Sequence, residues 1–172
     1  MIVSFVMFVL SLVLFLAFQA QGIYTGDSGD LVTAAYIGGV PHPPGYPLYT
    51  LLGFLLSKLP FFSVSWRLSL LSSIPHAMSV GLVFLLIYYL TKKNTWAALF
   101  GSLLLLSNYL FFLYSTTPEV FAMFDLFILA CWFLLYRWQE TRNFRYFYYA
   151  CFVFGLSLTH HHVMAFFVPA FS

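Results

Sequence analysis

Apolar runs close to membrane-crossing length follow one another along the whole of this 172-residue chain. A helix needs about 20 apolar residues to cross the hydrocarbon core of a bilayer. Runs at residues 2–18, 68–90, 96–113, 120–136 and 146–159 reach or approach that length, and another opens at 163–172. Charged residues make up only 7% of the chain, where a soluble domain carries roughly 25%. So few charges cannot cover a surface that faces water. The sequence therefore predicts an all-α, polytopic helical membrane protein, with about five transmembrane helices and a partial sixth in one domain over residues 1–172.

The first run has no Lys or Arg before it and no small-residue cleavage site after it, so it reads as a retained helix rather than a signal peptide. Cys131 and Cys151 lie inside apolar runs and predict no disulfide. A net charge of +2 is too small for a nucleic-acid partner. The apolar 163–172 stretch stops without a polar tail, which reads as the front part of a longer chain.

Between the first two full-length runs lies a polar loop at 19–47, followed by a shorter apolar stretch at 48–59. Within the loop, 31–37 predicts a short helix capped by Ser28 or Asp30. Pro41, Pro43, Pro44 and Pro47 then bar any helix up to Leu48. The 48–59 stretch spans only about 18 Å as a helix, so it is expected to lie in the interface or re-enter. Charge bias supports that choice. If 48–59 does not cross and the N-terminus is inside, Lys92, Lys93, Arg137, Arg142 and Arg145 all fall on the inner side, five of the seven cations. The same topology sends Asp27, Asp30, His42, Glu119 and His160 to His162 to the outer face.

That convergence directs the search for chemistry. Asp27 and Asp30 supply one general base and a possible partner for a metal or second proton, with helix capping and a turn as their structural alternative. The His42-Pro-Pro-Gly-Tyr-Pro47 stretch holds His42 and Tyr46 rigidly beside them, since proline fixes φ and Gly45 permits a sharp turn. Glu119, in Thr117-Pro118-Glu119, reads structurally as the first turn of the next helix. Its shared face makes it a site candidate as well. Three successive imidazoles, His160 to His162, diverge by about 100° per residue on a helix, so one or two of them can face a site or a metal. Arg67 and Lys58 are the cations left outside, and a guanidinium suits a lipid phosphate. Asp125 and His76 lie inside apolar runs, at about 9 and 12 Å below the outer ends of their helices. A carboxylate at such depth is rarely idle, which predicts that the two pair.

Taken together, Gly26-Asp-Ser-Gly-Asp-Leu31, Pro41-His-Pro-Pro-Gly-Tyr-Pro-Leu48, Arg67-Leu-Ser-Leu-Leu-Ser72, Pro118-Glu-Val120 and Gly155-Leu-Ser-Leu-Thr-His-His-His162 resemble the N-terminal part of the transmembrane protein O-mannosyltransferase family. That family sits in the GT-C superfamily of glycosyltransferases that use lipid phosphosugars. The resemblance departs in two places: Glu is expected at Asp30 and Asn at His160, which leaves His161 and His162 as the better-matched imidazoles. It implies a GT-C-like fold and transfer of mannose or another hexose from a polyprenyl-phosphate donor to a protein or glycan hydroxyl. Asp27 matches the acidic base of the first outer loop, with Asp30 beside it. His42, Tyr46, Arg67, Glu119, His161 and His162 become substrate-binding candidates, with a divalent metal possible. The implied setting is an integral membrane protein whose active face lies outside a bacterial plasma membrane or in the endoplasmic reticulum lumen. The competing readings are a transporter, or a metal- or haem-binding protein built on the histidines.

Overall fold

Small residues along one long helix decide how the chain packs. In the computed structural model, which describes residues 1–171 apart from the Phe171 side chain, that helix is α4 (Val64–Leu90). Ser65, Ser69, Ser72, Ser73, Ser79 and Gly81 are all buried along it, so neighbouring backbones come close. At Gly81 an added Cβ would stand 3.3 Å from the Ser4 carbonyl oxygen, and the Ser4 hydroxyl donates to the Gly81 carbonyl at 3.0 Å. Ser69, Ser73 and Ser79 each donate back to the carbonyl four residues earlier. Their hydroxyls thus need no water. Pro75 sits inside the helix, where the packing of neighbouring helices makes it tolerable.

Around α4 stand α1 (Ile2–Phe18), α3 (Pro47–Ser57), α5 (Thr95–Leu106), α6 (Tyr109–Thr116) and α7 (Phe121–Thr141). A short α2 (Ser28–Ile37) packs on α3, and α8 (Phe144–Leu158) packs on α7. A 3₁₀ turn, His162–Phe167, leads into α9 (Val168–Phe171). No strand occurs among the described residues. Ser172, the last residue of the expected partial sixth span, lies outside them.

The described residues are all-helical as expected, but fewer of their helices than the expected five are candidate membrane spans. Among the described residues only α4 and α7 are each long and apolar enough to cross a membrane, and α5 with α6 makes a third if the bent pair is one span. α1, at 17 residues, and α8, at 15, fall short of that length. The run at 96–113, expected as one helix, breaks into α5 and α6 with a bend of 66°. Its cause is Asn108, whose side-chain oxygen accepts from the Phe111 N–H at 3.0 Å and whose backbone leaves the helical region at ψ 125°. An N-cap has formed inside the apolar run.

The short helices follow their turn chemistry. α3 starts with Pro47 in its first turn, and its 11 residues reach about 16 Å, too short to cross. α2 begins at Ser28 rather than Leu31, and neither Ser28 nor Asp30 caps it: Asp27 holds the cap position without a side-chain bond. The Ser28 hydroxyl accepts from the Tyr24 N–H, and the Asp30 carboxylate is used elsewhere. α2 closes on Gly38 at φ 70°, a left-handed cap that glycine adopts at no steric cost.

Candidate active site

Long-range hydrogen bonds tie four loop segments together at one end of the bundle. The Ala20 N–H donates to the Thr116 carbonyl at 2.8 Å, and the Leu48 N–H to the Thr159 carbonyl at 3.1 Å. Ser72 on α4 brackets Glu119, donating to its carbonyl and accepting from its N–H, both at 3.1 Å. His160 Nε2 donates to the Val120 carbonyl at 2.8 Å. The segments around Asp27, His42, Glu119 and His160 therefore share one end of the helices.

The loop supplies the site's geometry. Gly45 at φ 90° and Tyr46 at φ 42° are both left-handed. For a tyrosine that conformation is uncommon and costs about 1–3 kcal/mol, so the surrounding contacts must hold it there. They do: the buried Tyr46 ring packs against His42, His160 and His161 with centroids 5.3, 6.2 and 5.4 Å away. His42 stands at the centre. Its backbone N–H and its Nδ1 both reach Asp30 Oδ2 at 2.8 Å. On the other side, His42 Nε2 lies 3.2 Å from the Tyr46 hydroxyl and 3.6 Å from Asp27 Oδ2.

The two aspartates are thus unlike. Asp30 is committed to His42, whose backbone N–H first and whose ring second hold its carboxyl below the ordinary range. Asp27 is 58% exposed and receives no hydrogen bond. Glu119 differs from both, being buried with Oε2 unpartnered. Burial first, and the Asp27 charge second, push its carboxyl up to about 7. The expectation that Glu119 opens a helix is overturned. α7 starts at Phe121 with Val120 as its cap, because Ser72 holds the Glu119 backbone outside the helix.

The histidines sort by depth. His160 is 1% exposed, and burial pulls its pKa down to about 4, so it is neutral, with Nδ1 bare. His161 is half-buried, lowered by burial and then by His162, and edges onto Tyr46. His162 is exposed and stacks on His161 at 5.6 Å. Tyr49, which sequence reading passed over, is fully buried with its hydroxyl unpartnered and its ring 6.4 Å from His160. Its signal was its place in the first turn after the His42–Pro47 stretch, three residues from Tyr46. His160 was set aside as a departure from the family pattern, yet it is the most deeply buried of the three histidines.

Arg67 makes no hydrogen bond or ion pair with these groups. It is 6% exposed in the first turn of α4, and its Nε has no partner. Lys58 donates to the Tyr36 carbonyl at 3.2 Å, near the end of α2, and lies over the Phe54 ring at 4.4 Å. Among the described residues no group of three or more His, Cys, Asp or Glu is arranged to hold a metal ion. His76 has both ring nitrogens in use, at 2.8 Å from the Ser115 hydroxyl and 3.3 Å from Asp125 Oδ2, which leaves neither free for a haem iron. The expected His76–Asp125 contact is present. Because Ser115 donates its own proton to the Phe111 carbonyl at 2.6 Å, it accepts from His76 Nδ1, and the Asp125 contact needs one further shared proton.

Fold and site together define an all-helical membrane protein with carboxylates, imidazoles and tyrosines gathered at one end of its helices. The family described as protein O-mannosyl-transferase TMEM260, N-terminal domain, matches residues 27–172, and the chain belongs to it. It is 29% identical over 170 residues to the Dictyostelium discoideum protein O-mannosyl-transferase tmem260, covering 90% of this chain and 21% of that one. It is 38% identical over 117 residues to the mouse protein O-mannosyl-transferase TMEM260, covering 67% of this chain and 16% of that one. The chain thus spans about a fifth of the length of these relatives. No solved structure matches it.

Proposed function

We propose that this chain carries the acceptor-activating site of a GT-C-type protein O-mannosyltransferase, which moves mannose from a polyprenyl-phosphate donor to a hydroxyl on a protein. The names of its relatives support the reaction class. The observation that carries the assignment within the site is the unequal use of the two loop aspartates. Asp30 is consumed by His42, whereas Asp27 is exposed, unbonded and beside the other polar groups. A general base must reach the proton it takes, and Asp27 is the carboxylate free to do so.

In this mechanism Asp27 takes the acceptor hydroxyl proton as the oxygen attacks C1 of the sugar. The bond from C1 to the donor phosphate breaks, and the phosphate leaves with the electron pair. Glu119, whose carboxyl burial raises to about 7, donates in its protonated form to an oxygen of the sugar or phosphate. Tyr46 and His161 offer polar ring edges to the sugar, and exposed His162 lies at the rim. Arg67 is the cation for the phosphate, its buried Nε giving it a donor still to satisfy. The site faces away from the cytoplasm, in the endoplasmic reticulum lumen or outside a bacterial plasma membrane.

The donor class is tested with full-length protein in liposomes, an acceptor protein, and mannose label supplied either on polyprenyl phosphate or on a nucleotide. Label should reach protein from the lipid alone. Transfer from the nucleotide sugar without lipid would refute the reading.

A further inference from the structure

Within the transferase reading, on which this inference rests, the structure leaves open where the proton goes after Asp27 has taken it. Asp27 cannot keep it between turnovers. Its neighbour Glu119 is buried, so it offers the proton no path to water. The remaining group close to Asp27 is the His42 ring, 3.6 Å away and one-third exposed.

The tautomer of that ring is fixed by its partners. Asp30 is a resting carboxylate, which only accepts. Its Oδ2 lies 2.8 Å from both the backbone nitrogen and the Nδ1 of His42, so Nδ1 must carry a hydrogen. The neutral ring then has its lone pair on Nε2. That atom points at the Tyr46 hydroxyl at 3.2 Å and at Asp27 Oδ2 at 3.6 Å. In the resting site Tyr46 fills the lone pair with its own O–H. The tyrosine is seated for this by its left-handed backbone and by the edge-on contact of its ring with His42. Prolines at 41, 43 and 44 fix the chain around His42, and Asp30 is anchored in the first turn of α2.

We propose that His42 is a proton relay for Asp27, and that Asp30 is the positioning residue that holds the ring in the tautomer able to accept. The acceptor O–H proton passes to Asp27 Oδ2 as the new O–C1 bond forms and the C1–phosphate bond breaks. Asp27 hands it to His42 Nε2, while the Tyr46 hydroxyl turns to become an acceptor. The resulting imidazolium lies between two carboxylates, Asp30 at 2.8 Å and Asp27 at 3.6 Å. It then releases the proton to water at its exposed edge, which restores both groups. The titratable groups facing the ring are Asp27, Asp30, Tyr46 and Glu119, with His160 and His161 across the Tyr46 ring.

The test uses full-length protein in liposomes with labelled polyprenyl-phosphate mannose and an acceptor protein. In Asp30→Asn the amide oxygen, placed where Oδ2 stands, can keep both the His42 backbone N–H and Nδ1–H. The substitution removes the carboxylate charge beside Nδ1, so the imidazolium that forms when Nε2 accepts the proton is no longer balanced. We expect kcat to fall about tenfold or more with KM within about twofold. Asp30→Glu, which keeps the carboxylate, should stay within a few-fold of the parent. His42→Ala should lose kcat similarly and regain part of it with free imidazole in the buffer. His42→Gln should match the unrescued loss, and it carries the kcat test if the alanine variant does not fold. The relay is overturned if Asp30→Asn alters KM and spares kcat, if Asp30→Glu is no better than Asp30→Asn, or if imidazole leaves a folded His42→Ala unchanged. These failures are separable from that of the transferase reading. A parent that transfers nothing from the lipid donor refutes the reaction, whereas an active parent with unaffected Asp30 and His42 variants refutes the relay alone.

Discussion

At the scale of single residues, Glu119 and His160 are the site carboxyl and site imidazole displaced furthest by burial, and their effects on stability oppose each other. Glu119 is raised from 4.5 to about 7 on folding, so between those values the folded state holds the extra proton. Its contribution to stability therefore falls as pH rises from about 4.5 to 7. His160 is lowered from 6.5 to about 4, so between those values the unfolded state holds the extra proton and stability rises with pH. The two slopes overlap from 4.5 to 6.5 and largely cancel. Glu119→Gln should leave the His160 slope exposed, so thermal stability in detergent climbs with pH over that window. His160→Asn should leave the opposite slope. A parent and both variants with the same pH dependence would show that neither group is displaced. The role of Glu119 was only half legible in the sequence. Its shared face marked it as a site candidate, but Thr-Pro-Glu also reads as a helix start, and what prevents that is Ser72, 47 residues away. Asp30 was likewise legible as an acid near His42, yet its commitment to that ring depends on a turn that brings residues 12 apart into contact.

At the scale of elements, the packing of α4 against α7 carries a polar pair that the apolar pattern did announce. Charge is so scarce in these helices that Asp125 and His76 could be matched by depth alone, and their contact at 3.3 Å follows. His76 is also stacked on Phe111 at 4.0 Å, so it joins α4 to α6 as well as to α7. Removing either member strands the other beside apolar neighbours. Asp125→Ala and His76→Ala should each lower thermal stability in detergent, with the double change costing less than the sum by about 0.5–3 kcal/mol. Strict additivity would mean that the contact carries no energy. The break between α5 and α6 was missed for an opposite reason. Hydrophobicity is continuous across it, and the signal lies in one polar residue, Asn108, whose side chain replaces a helix bond. Apolar periodicity reports what is buried, not where the backbone chooses a cap.

At the scale of the whole molecule, the loops carrying the site and the loops carrying Lys92, Lys93, Arg142 and Arg145 belong to opposite ends of the helices that join them. From the positive-inside rule we propose that the site faces away from the cytoplasm. Ser28 is buried, so exposed Thr25 is the better reporter for the site loop and exposed Thr141 for the opposite end. With Cys131 and Cys151 replaced, a single cysteine at Thr25 should label with impermeant reagent from the non-cytoplasmic side only, and one at Thr141 from the cytoplasmic side only. Labelling of both from one side would place the basic loops and the site together. The central claim, that Asp27 is the base of a mannosyl transfer, is tested most directly by the turnover of full-length Asp27→Asn with labelled polyprenyl-phosphate mannose. If Asp27 takes the acceptor proton, kcat should fall about 10²–10⁴-fold while the protein inserts and melts as the parent does. A folded Asp27→Asn that transfers mannose within a few-fold of the parent would contradict it.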